Sequence, residues 1–65
     1  MFSIDEYVLN QKTGHIGKVV GYGHQILNNV YTTTLKVLVS EAGNPLKHII
    51  VEEDLYSNWD QHLNS

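Results

Sequence analysis

Apolar and polar side chains alternate most clearly between Tyr31 and Ser40. There Tyr31, Thr33, Leu35, Val37 and Val39 fall on one face of an extended chain and Lys36 falls on the other. Period-two alternation in residues rich in Val, Thr and Tyr predicts a half-buried strand. Three further β-rich runs flank it: Phe2–Leu9, interrupted by Asp5-Glu6; His15–Tyr22; and Leu46–Glu52. The breaks between them carry turn residues. Asn10-Gln11-Lys12-Thr13-Gly14 is a polar turn with Gly at its end, and Glu41-Ala42-Gly43-Asn44-Pro45 is a second break. Gly23–Asn29 reads as a loop, with Asn28-Asn29 suited to positive φ. Glycines at 14, 17, 21 and 23 punctuate the second run, as the bent strand of a very small barrel requires.

The pattern changes after Asp54. Asp54 is placed to cap a short segment, Leu55–Trp59, in which Leu55 and Trp59 share a side at i and i+4. The segment is too short for an independent helix and predicts a single 3₁₀ or α turn folded onto the strands. Asp60–Ser65 reads as a tail that frays. The fold class expected is therefore all-β: a small barrel of four to five strands with a short turn near the C-terminus, spanning residues 1–65 as one domain. Within 65 residues, 42% hydrophobic and 17% charged side chains give a globular composition. A chain this short buries a smaller share of its surface than a longer one. It has no cysteine, so neither a disulfide nor a thiolate metal site supplements the core. Association with another protein or with a second copy is accordingly expected. No apolar run approaches the ~18 residues that span a bilayer. Met1–Glu6 lacks the basic and apolar regions of a signal peptide, and the cytoplasm is the expected location.

Four short strands, tight connections and a closing turn resemble an SH3-like barrel over about positions 4–56. The hairpin Gly14-x-x-Gly17-x-Val19 resembles the Gly-x-x-Gly-x-Val core of KOW-type modules in that barrel class. Val51-Glu52-Glu53-Asp54-Leu55 is similar to the last-strand ending of many SH3-like domains. The resemblance implies an all-β barrel and a role as peptide binder, as ribosomal or transcription module, or as small subunit of a larger complex. It does not choose among these.

Charge narrows the choice. Seven acidic residues face four lysines and no arginine, for a net charge of −3. Nucleic-acid binding depends on Lys and Arg neutralising phosphate, so this balance opposes it, and it opposes anionic membranes too. The alternative of a KOW-like nucleic-acid module would rest on Lys12, Lys18, Lys36 and Lys47 with stacking tyrosines. A self-assembling structural protein, pairing edge strands or the 23–30 segment between copies, is the other alternative.

No catalytic site, metal site or cofactor is expected. The serines lack a Gly-x-Ser-x-Gly context, and no G-x-G-x-x-G opens a helix. Histidines at 15, 24, 48 and 62 show no ligand spacing, although His15, His48 and an acid from 52–54 would meet if their strands were neighbours. Glu52 and Glu53 point to opposite faces of a strand and make no natural acid–base pair.

Aromatic and apolar residues are the stronger lead. Tyr22, Tyr31, Tyr56 and Trp59 are rigid, amphipathic side chains of the kind that anchor interfaces, unless Trp59 closes the core. Ile26 and Leu27 lie where a loop should be polar. The function expected is a non-catalytic protein-interaction module, a small accessory subunit or adaptor of a cytoplasmic complex. It would bind through Tyr22, Ile26, Leu27, Tyr31, Tyr56 and Trp59, with Glu52, Glu53 and Asp54 as an acidic rim.

Overall fold

The computed structural model describes residues 1–40 and 49–62. Five antiparallel strands form one sheet: β1 (Tyr7–Asn10), β2 (Ile16–Leu27), β3 (Val30–Ser40), β4 (Ile49–Leu55) and β5 (Trp59–Gln61). Their order is β4-β3-β2-β1-β5. A 3₁₀ turn, Tyr56–Asn58, carries the chain from β4 to β5 on the far edge. Among the described residues no helix is long and apolar enough to cross a membrane.

Local chemistry sets the turns. Between β1 and β2 the Asn10 side-chain oxygen accepts from the backbone N–H groups of Lys12 and Thr13, at 2.8 and 3.2 Å. Gly14 follows at φ +78°, a conformation open to glycine without cost. Between β2 and β3 the whole connection is Asn28-Asn29, at φ +50° and +66°. Positive φ at both central residues is the signature of the tight hairpin turn whose twist matches its strands. That turn fixes the register: Leu27 opposite Val30, Ile26 opposite Tyr31, and so on to Gly17 opposite Val39.

The register slips once, between Val19 and Gly21. Val19 (opposite Val37) and Tyr22 (opposite Leu35) both end up on the core face, while Val20 is pushed outward. A bulge of this kind bends its strand and increases the twist. The sheet curls enough for side chains of β1 and β4 to touch, although two strands separate them in the order. Gly17 permits a further close approach. A Cβ there would collide with the Leu38 carbonyl and lie 2.7 Å from Val39 Cγ1. The core is small: Val8, Val19, Leu35, Val37, Val39 and Trp59, with Phe2 and Tyr56 packed against it.

Several expected boundaries are corrected. The first strand begins at Tyr7 and not at Phe2, because Asp5 adopts φ +75° and the chain turns between Ser3 and Glu6. The second strand does not end at Tyr22. It runs to Leu27, so Gly23–Asn29 is no loop and its polar turn is two residues long. The last strand includes Glu53, Asp54 and Leu55 because all three continue the ladder with β3. The expected fraying tail, Asp60–Ser65, is paired at its start: Asp60 and Gln61 join Trp59, the last residue of the expected turn, in pairing with β1, and the His62 N–H donates to the Tyr7 carbonyl at 3.1 Å. The turn expected at Glu41–Pro45, residues 46–48 and residues 63–65 lie outside the described residues.

Candidate functional site: a projecting, charge-free hairpin

β1 pairs β2 only over Ile16–Lys18, and Val19 exchanges backbone bonds with Asp5 and Glu6 just beyond. On the other side, β4 pairs β3 only from Thr34 to Ser40. The distal half of the hairpin, Gly21–Leu27 with Val30–Thr33, thus extends past the sheet as a two-stranded arm with no strand on either side among the described residues. The molecule is correspondingly long, 39 × 24 × 18 Å.

The arm brings four of the expected contact residues together. On the face continuous with the core lie Tyr22, His24 and Ile26, with Tyr31 opposite Ile26 and Thr33 opposite His24. Ile26 and Tyr31 are 65% and 68% exposed. The His24 and Tyr31 rings lie against each other, centroids 4.4 Å apart. Leu27 and Val30 oppose each other on the other face. Ile26 and Leu27 are both exposed but belong to opposite sides of the ribbon, so they do not form one patch.

Tyr56 lies elsewhere. It is half-buried, stacked on Phe2 at 5.1 Å, and its hydroxyl accepts from the Phe2 N–H. The Tyr22 hydroxyl donates to the Phe2 carbonyl, so the N-terminal segment is held beneath the base of the arm. An open groove of about 420 Å³ runs between Met1, Thr32, Thr33, Tyr56 and Ser57. Trp59 is corrected outright as a contact residue: at 3% exposed it is part of the core, placed there by the pairing of β5 with β1.

The three acids do not form one rim around the arm: Glu53 Oε2 reaches over Gly23 at its base, whereas Glu52 and Asp54 do not. Glu52 and Asp54 face Val37 and Leu35 across the ladder and turn toward β1. There the buried Asn10 amide donates to Glu52 Oε2 at 2.9 Å and to Asp54 Oδ2 at 3.0 Å. Glu52 also receives the Thr13 hydroxyl at 3.0 Å, and its Oε1 lies 2.6 Å from His15 Nδ1. Asp54 Oδ1 accepts from the Leu55 N–H and from Asn58 Nδ2, fastening the 3₁₀ turn. Glu53 points the other way and accepts the Thr34 hydroxyl at 2.6 Å. The Asn10 hydrogen bond holds the Asp54 carboxyl below the ordinary carboxylate value. Burial opposes this, and Asn58, the Leu55 N–H and the Lys12 charge reinforce it. Glu52 and Asp54 are engaged in joining β1 to β4.

His15 thus meets an acid from 52–54 across the curl of the sheet. His15 immediately precedes β2, which lies two places from β4, and His48 is outside the described residues. Among the described residues no three His, Cys, Asp or Glu side chains converge to hold a metal. Asn10 is the residue that sequence reading missed. Its signal was an Asn opening a turn that closes with Thr-Gly, but its burial depends on β4.

No family model, no curated protein and no solved structure matches this chain.

Proposed function

We propose that the chain is a non-catalytic protein-interaction module, an SH3-like barrel working as a small accessory subunit or adaptor in the cytoplasm, and that the β2–β3 arm is its contact surface. The barrel reading is supported by the curl that joins β1 to β4 and by a fifth strand that returns through a single 3₁₀ turn to pair the first. One observation carries the function. Val19–Leu35 contains no Asp, Glu, Lys or Arg, so all four lysines and all seven acids lie outside the arm. An exposed two-stranded ribbon is marginal in water by itself. A ribbon that also shows Ile26, Leu27, Val30 and Tyr31 to solvent is stabilised by a surface that covers it. No residue of the arm is Lys or Arg, and the Lys36 side chain reaches only its base, beside Gly21 and Gly23, which weighs against nucleic acid.

Ile26→Asp and Leu27→Asp place a charge on each face in turn. Each is expected to weaken association at least tenfold while circular dichroism stays unchanged, whereas Glu53→Lys on β4 leaves association intact. Affinity capture and solution mass of the three variants beside the parent chain check this. Undiminished association of both Asp variants overturns the reading.

A further inference from the structure

We propose that the arm pairs with a second copy of this chain, outer edge of β2 to outer edge of β2, antiparallel about a two-fold axis at His24. This rests on the arm being the contact surface and names what covers it.

The backbone carries the first part of the case. In an antiparallel ladder residues alternate between bonding their neighbour and turning outward. Every second residue of Gly21–Leu27 therefore presents its N–H and C=O to the open side of β2. Proteins normally blunt such an edge with Lys, Pro, a bulge or a covering segment. Gly21–Leu27 contains neither lysine nor proline, and the bulge at Val20 lies before it.

Charge selects the edge. A two-fold axis sets like beside like, so self-pairing is favoured where there is no charge to repeat. β4, at one margin of the sheet, carries Glu52, Glu53 and Asp54, so only its first three residues, Ile49–Val51, offer an edge without charge, and a two-fold axis placed within 52–54 would set carboxylates against carboxylates. The margin strand β5 is three residues long and includes Asp60. The open stretch of β3 covers only Val30–Thr33, and Met1, Tyr56 and Ser57 line a groove with Thr32 and Thr33 beside it. The β2 edge is longer, and Gly21–Leu27 has no charged residue of its own; Glu53 and Lys36, of opposite sign, reach across to Gly23 on the face away from the core.

Register follows from the side chains. Centred on His24, the pairing sets Tyr22 opposite Ile26 of the second copy, and Ile26 opposite its Tyr22. Aromatic and β-branched residues directly opposite each other stabilise antiparallel pairs. Centring on Gln25 instead would set Leu27 against Gly23 and Ile26 against His24, which wastes both apolar side chains. The His24-centred pairing also joins the two core faces into one surface, continuing through Tyr31 and Thr33.

The chain has no cysteine, so single-cysteine variants report this geometry without background. Under mild oxidation His24→Cys is expected to form a disulfide-linked dimer, and Thr33→Cys on the opposite strand is not. The unmodified chain should shift with concentration from 7.4 kDa toward twice that mass in sedimentation equilibrium. His24→Lys should raise the dissociation constant at least tenfold, and His24→Thr, uncharged and suited to a strand, should not. A chain that stays at monomer mass across the concentration range overturns the proposal, as does cross-linking at Thr33 in place of His24. If the chain is monomeric yet Ile26→Asp and Leu27→Asp still abolish capture of a different protein, self-pairing fails and the interaction-module reading stands. If the chain is monomeric and both Asp variants are without effect, both fail.

Discussion

Asn10 shows how much one side chain is asked to do. Its carbonyl oxygen shapes the β1–β2 turn, and its amide spans to two carboxylates on β4. Every hydrogen-bonding position of the side chain is used, which is the condition for burying an amide at no net loss. Asp54 depends on it. With its carboxyl lowered in the folded state, the unfolded chain binds more protons through that window, and stability rises with pH there. Asp54's contribution is therefore whole above the ordinary carboxylate value and is lost as pH falls through the lower, folded one. Urea midpoints measured from neutral pH downward should drop on this acid limb, and Asn10→Ala should lower the neutral midpoint while flattening the drop. An unchanged limb in that variant would show that Asn10 does not set the Asp54 carboxyl.

At the scale of elements, the hairpin is decided by two residues. Asn28 and Asn29 hold positive φ, which asparagine tolerates and β-branched residues resist. Asn29→Val is expected to cost about 1–2 kcal/mol from the left-handed penalty alone, while Asn29→Gly should be near neutral. Chemical denaturation of both variants checks it, and equal midpoints would place the turn's strain elsewhere. The bulge at Val20 is the other decisive feature of β2. Without it, strict alternation would carry Tyr22 to the face opposite Val19, and the arm would not continue the core face. Alternation in β3 was legible from Tyr31 to Val39, and Leu35, Val37 and Val39 are indeed buried. Tyr31 and Thr33 keep the same parity and stay exposed, because the strands that would cover them end first.

For the whole molecule, the closing strand matters most. β5 is only three residues long, yet it brings Trp59 into the core, where among the described residues its indole N–H has no hydrogen-bond partner. Domains have roughly 0.05–0.15 kcal/mol of stability per residue, and truncating a buried Trp to Ala costs about 3–5 kcal/mol. On a chain of this length that loss is a large share of the total. Trp59→Ala should be largely unfolded at room temperature, and Trp59→Phe should fold with a lowered midpoint. Because Trp59 is the only tryptophan, the parent chain's emission should be that of a buried indole and shift to the red on unfolding. Red-shifted emission in the native state would return Trp59 to the surface.

The β class, the clearest strand, the turn residues and the list of aromatic and apolar candidates can be read from the order of the amino acids. Alternation, β-branching and Gly/Asn punctuation act within a few residues of one another, so a linear reading captures them. Which candidates are exposed follows from the folded chain. Whether Trp59 is core, whether Asn10 meets Glu52 and Asp54, and whether Ile26 sits in a loop or on an arm all depend on partners far along the chain. Those partners are set by the bulge at Val20, by where β1 and β4 stop, and by the return of β5 to β1. Burial is a property of the neighbours that the fold supplies, and local pattern does not contain them.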